Sequence, residues 1–110
     1  MAPQLSIQVL QTGGTAIVRL AGELDAAVAS EVHDATRGLH GQVTVDVGEL
    51  TFMDAAGLGV LARIANQCQS FRVRGATGII RSVIEICGFE DWAAVLGEAS
   101  ADPIDSSGAP

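Results

Sequence analysis

Apolar and polar residues alternate at the start of the chain. Leu5, Ile7 and Val9 are separated by Ser6 and Gln8, and beyond Gln11-Thr12-Gly13-Gly14 a second alternation places Ala16, Val18 and Leu20 on one face. A period of two on either side of a glycine pair predicts a β-hairpin. From Asp25 the period lengthens. Val28, Val32, Ala35, Thr36 and Leu39 form a stripe while Glu31, His33, Asp34 and Arg37 face the other way, as on an amphipathic helix. Asp25 is the expected N-cap, and Gly38 or Gly41 the expected stop. Val43 to Val47 is short and β-branched, predicting a central strand covered on both faces. The residues after it read as a loop ending in Asp54, which caps a second helix from about Ala55. Its stripe is Leu58, Leu61, Ile64, Ala65 and Cys68, opposed by Arg63, Asn66 and Gln67. Phe71 to Arg74 reads as a strand. Ile80, Val83, Ile84 and Cys87 mark a third helix closed by Gly88, and Trp92 to Leu96 a short last one.

The order β-β-α-β-α-β-α predicts a single α/β domain with a mixed sheet, an N-terminal hairpin continued by parallel strands with right-handed crossovers. With 110 residues the chain suffices for one domain. We place that domain at residues 1–97. From residue 98 the sequence turns to Glu, Ala, Ser, Asp, Pro and Gly, which bury too little to offset their ordering entropy, so 98–110 is expected to be a disordered tail.

Thirteen acidic residues against six basic ones give a net charge of -7, which repels nucleic-acid phosphates. No stretch approaches the ~20 apolar residues of a membrane span, and Met1 to Leu10 lacks a basic segment followed by an apolar run. A soluble, cytoplasmic protein without membrane insertion is expected. Two cysteines, Cys68 and Cys87, are too few for a disulfide framework. Both lie on apolar stripes, where a thiol acts as a small hydrophobe. No Cys/His cluster suggests zinc, and His33 and His40 have no evident nucleophile to serve. Neither a metal, a cofactor nor a catalytic residue is expected.

Gly57-x-Gly59-x-x-Ala62 fits one variant of a dinucleotide fingerprint, but the following strand ends in Arg72-Val73-Arg74 rather than in an acid, and the second mononucleotide half is missing. Small residues at a tight strand-to-helix turn explain it better. More informative is the run Val45 to Leu58: a buried strand, an acid, then small residues opening a helix. Free N–H groups and the macrodipole favour negative charge at such a helix start. A hydroxyl at position 55 could carry a phosphate there; this chain has Ala55.

Phe52-Met53-Asp54-Ala55-Ala56-Gly57-Leu58 resembles the loop of the STAS-domain anti-sigma factor antagonists, which reads Phe-Met-Asp-Ser-Ser-Gly-Leu or Phe-Ile-Asp-Ser-Ala-Gly-Leu before the second helix. Gly22-Glu23-Leu24-Asp25 is similar to the family's Gly-x-Leu-Asp before the first helix, and Val83 to Phe89 to the end of its third. Three pieces in order, each at an expected element boundary, extend the resemblance over about Leu5 to Leu96. It implies a STAS-like fold. It also implies a partner switch, in which the antagonist binds an anti-sigma factor with a kinase-like ATPase fold and so frees a sigma factor, without enzymatic activity or DNA contact.

In such proteins the kinase phosphorylates the serine after the loop aspartate, and an added charge of about -1.5 to -2 separates the partners. By position, Asp54 would cap the helix, Ala55 would occupy the phosphoacceptor position without accepting a phosphate, and Gly57 with Leu58 would form the contact surface beside Ala56. Gly22 and Asp25 would supply the neighbouring edge. The alanine leaves three readings: a constitutive antagonist, one regulated by other means, or a STAS module serving another ATPase, such as an accessory subunit of a lipid-transport ABC system or a signalling scaffold. Asp105-Ser106-Ser107-Gly108 copies the tetrapeptide without the flanking strand and helix, and is read as coincidence.

Overall fold

The computed structural model describes residues 3–86. The expected helix over Trp92 to Leu96, the Cys87-Gly88 end of the third helix and the tail from residue 98 lie outside them. The elements are β1 (Leu5–Thr12), β2 (Thr15–Leu24), α1 (Ala29–Thr36), β3 (Gln42–Met53), α2 (Ala55–Gln67), β4 (Ser70–Arg74) and α3 (Gly78–Ile86), in the expected order.

The four strands form one sheet in the order β1-β2-β3-β4. The hairpin pairs β1 and β2 antiparallel from Leu5↔Gly22 to Thr12↔Thr15, closed by a two-residue loop in which Gly13 takes the left-handed backbone (φ 60°) that L side chains avoid. β2–β3 and β3–β4 are parallel. Because both parallel crossovers step in the same direction along the sheet, a common handedness puts their helices on one face. α2 packs between α1 and α3. The core lies beneath them, with Val18, Leu20, Val45 and Val47 from the sheet meeting Val32, Leu61, Ile64 and Ile84 from the helices. Thr36 is buried too, its hydroxyl donating to the Val32 carbonyl at 2.8 Å.

The structure corrects the sequence reading in three places. β3 is an interior strand, but only one of its faces is covered: Val43, Val45 and Val47 are buried while Thr44 and Asp46 between them are half-buried. It is also far longer than Val43 to Val47, because the expected loop continues the strand. Register shifts between Arg19 and Ala21, and between Gly22 and Glu23, mark extra residues in β3. The inward positions therefore run Val47, Leu50, Met53 at intervals of three, a spacing that a strict period of two does not recognise. The first helix starts at Ala29 rather than just after Asp25. Val28 stands at its N-cap without a side-chain bond, Ala35 is exposed, and neither Gly38 nor Gly41 has a left-handed backbone. Gly41 instead lies against the Gly14 backbone, where a Cβ would collide.

Candidate functional site

The parallel strands all end at the same edge of the sheet, so the turns that open α1, α2 and α3 gather there. In open α/β sheets this is the edge where ligands and partners are received. β2 and β3 finish as neighbours, Leu24 opposite Met53. The Asp54 N–H donates to the Leu24 carbonyl at 3.3 Å, which fastens the α2 turn to the end of β2 and brings Asp25 and Asp54 onto adjacent strand ends.

Asp54 has extended backbone angles (φ -110°, ψ -172°) and its Oδ1 accepts the Gly57 N–H at 3.0 Å. Its own carbonyl accepts the Leu58 N–H at 3.0 Å, the first bond of the helix. The carboxylate thus satisfies one of the helix's orphan donors and complements the positive end of its dipole. Asp25 plays a different local role from the one expected. Its Oδ1 accepts the Ala27 N–H at 2.9 Å, an Asx turn that leads the chain away from β2 ahead of α1.

The residues singled out in the sequence separate by depth. Ala55 is exposed, and Ala56, Asp54, Asp25 and Gly22 are half-buried. Gly57 and Leu58 are buried, Leu58 to 2% exposure. They underlie the surface and shape it, whereas the sequence reading had them present it. A Cβ at Gly57 would stand 2.8 Å from the Leu24 carbonyl oxygen and 2.9 Å from Met53 Cγ, so the glycine lets α2 sit directly on the β2 end. Gly22 likewise serves the backbone, holding φ 113° at a register shift while its carbonyl accepts the Thr51 hydroxyl at 3.1 Å. Gly59, the second glycine of the fingerprint-like run, is exposed with open space where a Cβ would go. The close packing that the pattern suggested therefore belongs to Gly57 alone.

Two apolar residues at this end were not in the expected site. Phe52, in the last stretch of β3 before Asp54, is 42% exposed, and Ile79, in the first turn of α3, is 62% exposed. Phe52 was visible in the motif. Its exposure follows from the preceding bulge, which breaks the strand alternation and so hides the signal. Ile79 sits beside the buried Ile80, and consecutive isoleucines on a helix point in different directions.

Among the described residues no group of three or more His, Cys, Asp or Glu side chains is placed to hold a metal ion, and no helix is long and apolar enough to cross a membrane. Cys68 is half-buried at the end of α2, its thiol donating to the Leu39 carbonyl at 3.4 Å, and burial pushes its pKa up from 9.0. A thiol held protonated is a poor nucleophile. His33 contacts Arg63 across α1 and α2, Nε2 to guanidinium nitrogen 3.5 Å.

The fold is similar to that of an anti-sigma factor antagonist from Mycobacterium paratuberculosis (20% identity, 82% of this chain and 84% of that one, TM-score 0.67). It is similar also to the phosphorylated form of SpoIIAA, a Bacillus cell fate determinant (22%, 79% and 87%, TM-score 0.58). A sulfate transporter family protein from Wolinella succinogenes shares it as well (14%, 81% and 76%, TM-score 0.59). A family model described as "Mlab, STAS domain" matches residues 7–98. With most of the hairpin, the parallel strands and the aspartate-capped α2 inside that span, the chain belongs to the STAS domain family.

Proposed function

We propose that this chain is a non-enzymatic binding module, an anti-sigma factor antagonist that engages its partner through the strand-end surface formed by Asp25, Asp54, Ala55 and Ala56. The observation that carries the reading is the exposed Ala55 directly after the Asp54 cap: a small residue at the positive end of a helix whose first turn carries no large side chain before the buried Leu58. Ala55 and Gly59, one turn apart and both exposed, let a partner approach the helix closely, and Phe52 and Ile79 at the same end supply apolar area. The antagonists of the same fold support an anti-sigma factor as the partner class, and the resemblance of the Phe52 to Leu58 loop implies that this factor has a kinase-like ATPase fold. In this reading Ala55 stands at the phosphoacceptor position, so binding is not released by phosphorylation there.

The second reading keeps the surface and changes the partner: a STAS subunit of a transport system, such as a lipid-transport ABC assembly. The transporter protein among the similar folds and the lack of a hydroxyl at position 55 favour it.

Affinity capture of the tagged chain from its source cells, with Ala55→Glu as matched control, distinguishes them. Recovery of a kinase-like anti-sigma factor, lost in the control, supports the first reading; recovery of a transporter ATPase moves the function to the second. A partner bound equally by Ala55→Glu sinks the assignment of the surface, because a charge introduced into a closely packed contact cannot be neutral.

A further inference from the structure

We propose that two copies of this chain associate through β1, antiparallel about a two-fold axis at Gln8, to make one continuous sheet. The proposal is independent of the partner assignment above and rests on the two edges of the sheet. β4 is five residues long and carries Arg72 and Arg74, both exposed, the kind of charge that keeps an edge from pairing with its own copy. β1 is eight residues long, Leu-Ser-Ile-Gln-Val-Leu-Gln-Thr, with no charge, proline or glycine, and its register with β2 runs without a bulge. In a chain of net charge -7, this edge is neutral and unguarded.

The hydrogen-bond phase identifies the free backbone groups. The Gln4 carbonyl accepts the Glu23 N–H at 3.0 Å. In an antiparallel ladder the bonded residues alternate, so Gln4, Ser6, Gln8 and Leu10 direct their backbone groups to β2. Those of Leu5, Ile7, Val9 and Gln11 point away from the sheet, and no described residue pairs with them.

With the two-fold axis at Gln8, Ile7 lies opposite the second copy's Val9 and Leu5 opposite its Gln11. Every outward-pointing backbone group then meets a complementary one. On the helix face the half-buried Ile7 and Val9 cover each other. On the open face Leu10, 45% exposed, packs beside the second copy's Ser6, and the two Gln8 amides meet on the axis. No like charges are brought together along the strand. A contact of this size gives weak, concentration-dependent association, and it leaves the Asp54 ends at opposite extremes of the joined sheet, each open to a partner.

Sedimentation velocity on the full chain from about 10 μM to about 1 mM tests this. The expected result is a shift from the 11.3 kDa monomer to twice that mass. Gln8→Lys, which sets two ammonium groups face to face across the axis, should weaken association about two- to fivefold, and because position 8 also faces Arg19 within the monomer, the monomer's thermal midpoint should fall slightly. Gln8→Cys, with Cys68 and Cys87 replaced by serine, should cross-link on mild oxidation, since Cα atoms opposite each other in a non-hydrogen-bonded pair lie about 4.5 Å apart, within disulfide range. A monomer throughout that does not cross-link overturns the proposal. So does a dimer whose affinity Gln8→Lys leaves unaltered.

Discussion

The Asp54 carboxylate holds the Gly57 N–H at 3.0 Å while Gly57, lacking a side chain, rests against the Leu24 carbonyl that receives the Asp54 N–H. Cap and contact are therefore one arrangement: the residue that starts α2 also joins the helix to the end of β2, and the exposed Ala55 is positioned by both.

Asp54→Ala removes the side-chain acceptor at the N-cap and should cost about 1 kcal/mol. Asp54→Asn, which keeps an acceptor oxygen, should recover most of it. Urea unfolding of the three proteins checks this, an unchanged midpoint in Asp54→Ala being the contrary result.

Two glycines of α2 should respond in opposite ways to alanine. Gly57→Ala drives a Cβ into the Leu24 carbonyl and Met53, and forcing the helix off the strand end should destabilise by roughly 1–3 kcal/mol. Gly59→Ala enters open space and should stabilise by about 0.5–1 kcal/mol through the lower backbone entropy of the unfolded chain. Thermal midpoints moving in the same direction would contradict the packing described.

Leu61 is fully buried between the sheet and the helix layer. Leu61→Ala should cost about 2–5 kcal/mol, the spread reflecting how far α2 can settle into the space left. Denaturant unfolding measures it, with the slope expected to stay constant.

Cys68 has its pKa raised by burial, so the folded chain holds the thiol proton more tightly than the unfolded one. This contribution to stability is complete below 9.0 and is lost as pH rises through the folded value. In a Cys87→Ser background, stability should therefore decline with pH above 9.0 more steeply than in the Cys68→Ser, Cys87→Ser protein. Alkylation of Cys68 by iodoacetamide at neutral pH should be slower in the folded chain than after denaturation.

The element order and most of the core were determined by the sequence itself. Alternation in Leu5 to Leu20 and the stripe Leu58, Leu61, Ile64 are local periodicities, and only a sheet covered by helices buries both. The Asp54 cap was legible for the same reason, since an N-cap depends on the three residues that follow it. Other features depend on strands that the chain brings together from a distance. The length of β3 is set by bulges against β2, which let Leu50 and Met53 turn inward and leave Phe52 outward. The Asx turn at Asp25 displaces the start of α1, and the burial of Leu58 depends on Gly57 meeting Leu24. Which face of β3 is covered also follows from both crossovers stepping the same way. Local preference chose the elements because it acts over a few neighbouring residues; register, depth and the free edge at β1 arise only when separate segments compete for the same space and the same backbone hydrogen bonds.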